Sequence, residues 1–119
     1  MTESTLYQTI VKPKLKKLGW FIYRVEHERV PDLYTAKGGR VFWLELKVVN
    51  KKRKDGLVKP DWRPGQLAWI KEHSKNGGQI TALCLWYVGE IFILTPKKEY
   101  SEGELKTEEK FYGKHAFKE

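Results

Sequence analysis

Two carboxylates and one lysine are spaced along this sequence so that a hydrolytic site could form from them. Asp32 and Glu45 stand in segments apolar enough for half-buried strands, and Lys47 follows Glu45 by two residues. A buried carboxylate without a partner is costly to desolvate. The two acids therefore need a cation, and a divalent metal ion that they share is the partner this pairing suggests.

A glycine pair sets the expected register between these residues. Gly38-Gly39 suits a two-residue type I′ turn, because both central positions need positive φ, and it joins strands predicted at 32–36 and 41–49. Counting outward from the turn places Asp32 opposite Glu45, with Cβ atoms about 4.5 to 5.5 Å apart. Lys47 projects from the same face as Glu45. The other face of the later strand should supply the core, with Phe42, Leu44, Leu46 and Val48.

The predicted chemistry is hydrolysis of a phosphodiester bond. Like charges directly opposed destabilise a sheet, and a bridging cation turns that repulsion into binding. Oxygen ligands with water favour Mg²⁺, with Mn²⁺ as a substitute. Lys47 beside the ion would orient or help to deprotonate an attacking water and offset charge on a phosphorane-like transition state. The competing interpretation is a structural salt bridge from the two acids to Lys47 or Arg29.

Length and charge restrict the class of protein. The 119 residues suit a single domain, 1–119. Lys and Arg number 23 against 15 Asp and Glu, a formal charge of +8, which suits nucleic acid or an anionic membrane. The basic residues lack an exposed apolar face for insertion, which disfavours the membrane.

The remaining composition excludes several kinds of site. No apolar run approaches the roughly 20 residues of a membrane span, and the N-terminus lacks a signal-peptide pattern, so we expect a soluble, cytoplasmic protein. Cys84 is the single cysteine, which excludes an internal disulfide and suits the core. The three histidines, His27, His73 and His115, have no zinc-ligand spacing with it. No organic cofactor is indicated.

The other segments should position the acids and the lysine. A helix runs up to Gly19 and should be kinked or split at Pro13. A strand is predicted at 20–26, an exposed loop at 50–61, and a helix at 63–76 ended by Gly77-Gly78. Strands at 79–87 and 90–94 follow, and the charged tail after Pro96 contains a short helix near 104–111.

These residues resemble a known family. Pro31-Asp32 followed by Glu45-Leu46-Lys47 looks like the PD-(D/E)XK nuclease signature, and the element order is similar to that superfamily's αβββαβ core. The resemblance implies an α/β, restriction-endonuclease-like fold with a mixed central sheet flanked by helices. It covers about three quarters of the chain, a core of about 1–95 with an extension at 96–119. The most similar groups are VRR-NUC proteins and Holliday junction resolvases.

The resemblance also implies roles for individual residues. Asp32, Glu45 and the backbone carbonyl of Leu46 would hold Mg²⁺, and Lys47 would assist the nucleophile. Glu3 would support the metal or its waters, because relatives often carry a glutamate at the start of the first helix.

Glu3 and Gln66 each have a plainer interpretation. Leu6 and Ile10 follow Glu3 at helical spacing, which turns it inward, but a first-turn acid is also favoured by the helix dipole. Gln66 shares a face with Ile70 and would position the lysine or a phosphate, as a glutamine in the second helix of relatives suggests. Alternatively, it lies in solvent.

Basic residues after the lysine-bearing strand are candidates for gripping phosphates without reading sequence. This basic run consists of Lys51, Lys52, Arg53, Lys54 and Lys59. Trp62 and Arg63 would stack on or clamp nucleic acid, and further positive surface comes from Lys12, Lys14, Lys16 and Lys17. A solvated loop is the alternative. Pro60-Asp61 repeats the PD dipeptide but is interpreted as a helix cap.

The resulting hypothesis is a metal-dependent, structure-selective endodeoxyribonuclease, a Holliday junction resolvase of VRR-NUC type in DNA recombination and repair on nucleoid or viral DNA. Cutting a four-way junction twice requires two sites, so a homodimer is expected. Aromatic residues of the tail are candidates for its interface: Tyr100, Phe111, Tyr112 and Phe117. The alternatives are a flap, nicking or restriction-type nuclease, and a non-catalytic nucleic-acid-binding module on the same fold.

Overall fold

The computed structural model describes the backbone of residues 1–112 and the side chains of residues 1–108. The helical segments are α1 (Glu3–Leu6), a π-helical turn (Tyr7–Val11), α2 (Lys12–Lys17), α3 (Gln66–Gly77) and α4 (Glu102–Tyr112). The strands are β1 (Phe21–Arg24), β2 (Leu33–Lys37), β3 (Arg40–Val49), β4 (Leu57–Val58), β5 (Ile80–Tyr87), β6 (Glu90–Leu94) and β7 (Tyr100–Ser101). Within this described part, every helix is too short or too polar to cross a membrane.

Five strands form one mixed sheet in the order β1-β2-β3-β5-β6. β3 and β5 are parallel, and the other neighbouring pairs are antiparallel. A parallel pair needs a crossover connection, and the segment containing α3 provides it. The predicted succession of a helix, three strands, a helix and two strands is confirmed.

The central hairpin has the predicted register. Gly38 and Gly39 have φ of 56° and 79°, as a type I′ turn requires. Lys37 pairs with Arg40, and the ladder continues in step to the pair of Leu33 with Leu44. The next position outward therefore brings the residue before β2 opposite Glu45.

Apolar side chains cover both faces of the sheet. The first core, on the face under α1 and α2, contains Leu6, Tyr7, Val11, Leu15, Trp20, Leu33, Phe42, Leu44, Leu46, Ala82 and Cys84. Three of the four β3 residues expected in the core are therefore buried there, and Val48 packs against them. The second core, on the opposite face, contains Val58, Leu83, Leu85, Tyr87, Phe92, Leu94, Tyr100 and Leu105. Glu45 and Lys47 lie on this second face, beside Leu83 and Leu85 of β5.

Pro13 splits the first helix as predicted. Proline has no amide hydrogen, and its ring crowds the carbonyl one turn earlier. The backbone accommodates Pro13 with a π-helical turn at Tyr7–Val11, directly before α2. Thr2 caps the start of the helical segment, because its side chain accepts a hydrogen bond from the amide of Thr5 at 3.1 Å.

The prediction of an exposed loop at 50–61 is wrong for the second half of that segment. Leu57–Val58 forms β4, which pairs antiparallel with β7, and Val58 is fully buried. A two-residue strand between charged stretches has too few positions for its periodicity to be read. It becomes a strand because a distant strand pairs with it.

The tail is part of the core and not only a charged extension. Tyr100 is 1% exposed, so its assignment to an exposed dimer interface is wrong. The predicted short helix is present as α4. Phe111 and Tyr112 belong to α4 but their side chains lie outside the described part, as does all of Phe117.

Candidate active site

Asp32 and Glu45 are tied together through the backbone. The amide of Asp32 donates to Oε1 of Glu45 at 3.1 Å, and the amide of Leu46 donates to Oδ2 of Asp32 at 2.9 Å. Each carboxylate therefore accepts a hydrogen bond from the other strand. This reciprocal pairing fixes both acids at the end of the β2–β3 ladder, as the glycine-turn register predicted.

Glu45 is buried on a largely apolar face, with 1% of its surface exposed. Burial, together with the neighbouring charge of Asp32, raises the pKa of Glu45 to about 7, although Lys47 and Gln66 act in the opposite direction. A carboxyl group with such a pKa binds a proton, or a metal ion in its place, near neutral pH.

Lys47 is equally buried, at 2% exposure, and its ammonium group is surrounded by oxygen acceptors. Nζ donates to the backbone carbonyl of Asp61 at 2.7 Å and to Oε1 of Gln66 at 3.0 Å. Oε2 of Glu45 lies 3.4 Å away, and the ring centroid of Trp62 lies 5.2 Å away. The ammonium is thus held in one place directly beside the acid pair.

Gln66 connects the lysine to the glutamate. Its Oε1 accepts from Lys47 and from the amide of Arg63 at 2.8 Å, and its Nε2 donates to Oε2 of Glu45 at 3.0 Å. Gln66 is 2% exposed, which contradicts the alternative that it lies in solvent. It is the first residue of α3, so the position of the helix start places the side-chain amide of Gln66 against the sheet.

Asp61 contacts the site in a way that sequence reasoning missed. The helix-cap interpretation of this residue is wrong, because α3 begins at Gln66 behind Gly65 and has no side-chain cap. Asp61 instead offers its backbone carbonyl to Lys47. A contribution made by a backbone carbonyl leaves no trace in residue type, so no sequence signal could have found it.

Glu3 lies at the start of α1, close enough for its charge to interact with the site. The pKa of Glu3 is raised above its ordinary value, mainly by burial and also by the charge of Asp32, while the charge of Lys47 opposes the rise. In the described chain, however, no three acidic, histidine or cysteine side chains converge closely enough to hold one metal ion. Glu3 therefore does not complete a three-carboxylate site with Asp32 and Glu45 in this conformation.

The donor set fits a magnesium ion held mainly through water and substrate. Mg²⁺ is usually bound by one or two carboxylates and keeps several waters, and Asp32 and Glu45 supply two carboxylates whose mutual repulsion a cation would relieve. The side chain of Leu46 is buried in the first core, so only its backbone is available to the site. The salt bridge of the competing interpretation exists between Lys47 and Glu45, but among the residues that the structure describes no salt bridge includes Asp32.

The residues predicted to bind nucleic acid differ from one another in exposure and in their contacts. The basic run is exposed at all five positions, and within it Arg53 is paired with Asp55 at 2.9 Å. Arg63 is exposed beside the site, whereas the indole of Trp62 packs against the second core and donates to the carbonyl of Lys97 at 2.8 Å. Of the α2 lysines, three are exposed and Lys12 is half-buried.

Cys84 is buried in the first core, where burial raises the pKa of its thiol to about 12. A thiol with that pKa is not a nucleophile at neutral pH. Its predicted role as core filler is confirmed.

The elements and their connections form a restriction-endonuclease-like α/β fold, with a mixed five-stranded sheet and helices. A solved structure shares this fold: Hjc of Archaeoglobus fulgidus, described as a Holliday junction resolvase from an archaeal hyperthermophile. It matches with a TM-score of 0.65 and 13% sequence identity over 89% of this chain and 89% of that chain. No family profile and no curated protein matches the sequence. The similarity is one of fold, and it extends over more of the chain than the motif resemblance did.

Proposed function

We propose that this protein is a metal-dependent, structure-selective endodeoxyribonuclease that cuts four-way DNA junctions. The observation that carries the proposal is the buried ammonium of Lys47, held 3.4 Å from Glu45 beside an acid pair on one sheet face. An ion pair that serves only stability is seldom worth its desolvation. A lysine fixed beside two carboxylates is instead suited to phosphodiester hydrolysis.

The chain's own residues have distinct roles in this proposal. Asp32, Glu45 and the Leu46 carbonyl would hold Mg²⁺ or Mn²⁺, and Glu3 would orient its waters. When bound, the ion supplies Lewis-acid stabilisation of the phosphate oxygens. Lys47 orients the attacking water and offsets charge that develops on the phosphate.

The surroundings of the site support a DNA substrate. Arg63, whose amide donates to Gln66, and the basic run that follows β3 along the chain provide exposed positive charge, which binds phosphates without reading bases. Two symmetric cuts require two copies of the site, so the proposed assembly is a homodimer. Its proposed place of action is the cytoplasm, on nucleoid or viral DNA.

The test is cleavage of a labelled four-way junction in Mg²⁺ or in EDTA, with Asp32→Asn and Lys47→Ala beside the wild type. We expect paired symmetric cuts by the wild type in Mg²⁺ alone, and a loss of rate of about 10³-fold or more in both variants with junction binding retained. Asn at position 32 still accepts from the Leu46 amide, so its fold should persist. Lys106→Ala, an exposed lysine of α4, is the control.

Full activity in either variant would remove the proposed roles. Cleavage of flaps or linear duplex without paired junction cuts would favour a flap, nicking or restriction-type nuclease, which would use the same site. Salt-sensitive binding without any metal-dependent cutting would favour the non-catalytic module.

A further inference from the structure

A row of aromatic rings crosses the sheet beside the candidate site. Tyr23, Tyr34 and Trp43 lie directly opposite one another on β1, β2 and β3, and directly opposed side chains share a face. Asp32 and Glu45 occupy the same face two residues farther along their strands, a distance of about 7 Å. The row therefore runs alongside the acid pair.

The rings of this face are in contact and anchored at one end. Ring centroids of Phe21 and Tyr34 are 6.3 Å apart, those of Tyr34 and Trp43 are 5.4 Å apart, and those of Trp43 and Trp69 are 5.9 Å apart, all edge-to-face. The indole nitrogen of Trp43 donates to Oε1 of Gln79 at 2.7 Å. The anchored end lies against α3, and the other end reaches the outer strand β1.

The outer end of the row is open to solvent. Phe21 is 59% exposed and Tyr23 is 62% exposed. In the described part of the chain, they are the aromatic members of a small set of exposed large apolar side chains. Two neighbouring exposed rings on an edge strand, continuous with a row of half-buried rings, form the kind of apolar patch that marks an interaction surface.

The charge along this edge of the sheet indicates a polyanionic partner. Residues 4–25 contain five basic residues and no acidic residue, and the acidic Glu26 and Glu28 follow beyond the end of β1. Helix α2, with Lys14, Lys16 and Lys17 exposed, contacts β1 from the opposite face of the sheet, so its positive charges border the same edge. A second copy of the chain meeting this edge would bring two such segments of like charge together, whereas a nucleic-acid strand would be attracted.

We propose that Phe21 and Tyr23, with Tyr34 behind them, form a platform on which unpaired bases stack while the same strand's phosphates pass the acid pair. Aromatic rings accept any base, because every base presents a π-face. The inference rests on the proposed function for the identity of the partner as DNA. It adds that the substrate presents unpaired nucleotides next to the bond that is cut.

The test compares two double variants. Phe21→Leu with Tyr23→Leu removes both rings but keeps an apolar surface, and Phe21→Tyr with Tyr23→Phe exchanges the rings and keeps both. Binding is measured in EDTA by fluorescence anisotropy, with a short thymidine oligonucleotide and an abasic oligonucleotide of the same length. Both positions are exposed, so circular dichroism should show unchanged folding.

We expect the leucine variant to bind the thymidine strand about tenfold or more weakly, and the exchanged variant to stay within about threefold of the wild type. All three proteins should bind the abasic strand equally, because it offers phosphates without bases. Equal thymidine binding by the leucine and exchanged variants would overturn the inference. So would a dimer that becomes a monomer in the leucine variant while base-dependent binding is unchanged, because the face would then belong to a second copy.

The two proposals fail separately. Ring-dependent binding by a protein that cuts no DNA in Mg²⁺ would contradict the proposed nuclease function and leave the platform in place. Junction cutting by a leucine variant that also binds the thymidine strand normally would contradict the platform alone.

Discussion

Three side chains, Glu45, Lys47 and Gln66, form one buried polar network. The lysine donates hydrogen bonds to the carbonyl of Asp61 and to Gln66, and Oε2 of Glu45 lies at the ion-pair distance of 3.4 Å, so the third ammonium proton can still be shared with a water. Both oxygens of the glutamate also accept hydrogen bonds. Such a network is rigid because any displaced member leaves a buried polar group unpaired. The site is therefore arranged before any substrate arrives.

Substitution of Gln66 should distinguish its role in positioning Lys47 and Glu45 from its contribution to the stability of the fold. In Gln66→Ala, Lys47 loses an acceptor and Glu45 loses a donor, which should lower the cleavage rate by about 10- to 100-fold and the free energy of unfolding by about 1–3 kcal/mol. The measurements are single-turnover cleavage and urea unfolding. Gln66→Glu is the matched variant of nearly equal size, and it should also fail because it adds a charge beside Glu45. Unchanged rates in both variants would contradict the positioning role.

The raised pKa of Glu45 predicts a pH-dependent stability of the metal-free protein. The pKa is about 7 in the folded state against 4.5 for an unperturbed glutamate, mainly because of burial. The folded state holds this proton more tightly, so the associated stability is complete below about pH 4.5 and is lost as the pH rises through about 7. In EDTA, the free energy of unfolding should fall over that range.

Urea unfolding at several pH values would measure this dependence. Glu45→Gln cannot titrate at this position, so its curve should be flatter than that of the wild type between pH 4.5 and 7. The difference between the two curves isolates Glu45 from the other titrating groups. Parallel curves would show that the carboxyl group of Glu45 has an ordinary pKa.

At the scale of elements, the β2–β3 hairpin was the most predictable part of the site. Its register depends on a two-residue glycine turn, which is a local signal, and it correctly placed Asp32 opposite Glu45. The start of α3 was predicted three residues early, because Gly65 has φ of 85° and interrupts the helical pattern that begins with Arg63. Local propensity cannot show where such a left-handed residue stops a helix from extending backward.

Gly65→Ala should therefore disturb the site as well as the helix. The left-handed backbone strains any Cβ by about 1–2 kcal/mol, and the new Cβ would stand 3.2 Å from side-chain atoms of Arg29. Gln66 follows directly, so the cleavage rate should fall together with stability. Gly38→Ala is the matched control, because it has positive φ but open space around it.

The control should lose stability and keep its activity, since its strain lies at the far end of the hairpin. Urea unfolding and junction cleavage of both variants would check this. A Gly38→Ala protein as inactive as Gly65→Ala would show that both act through general destabilisation.

At the scale of the whole molecule, the sequence predicted one apolar face of the sheet and not the other. The first core follows from the alternation along β3 and from helical spacing in the first segment. The second core draws on β4, β7 and α4, whose pairings join residues more than 40 positions apart. No periodicity in the tail or in the loop reveals a contact of that separation. Tyr100 was consequently assigned to the surface.

Tyr100 offers a direct measure of how far the tail supports the fold. Its hydroxyl donates to the carbonyl of Thr95 and accepts from the amide of Lys97. Tyr100→Ala should lower the free energy of unfolding by about 3–5 kcal/mol, and Tyr100→Phe by about 1 kcal/mol. Thermal or urea unfolding would measure both. A neutral Tyr100→Ala would restore the interpretation of Tyr100 as a surface residue.

The pairing of β4 with β7 has a consequence for the chemistry. The segment that leaves β4 carries the carbonyl of Asp61, and the neighbouring indole of Trp62 is fastened to Lys97. The C-terminal segment that contains β7 thus helps to hold the carbonyl oxygen of Asp61 against the amine of Lys47. A relative that kept every motif residue but lost this contact would have the catalytic side chains without the support that holds them in position.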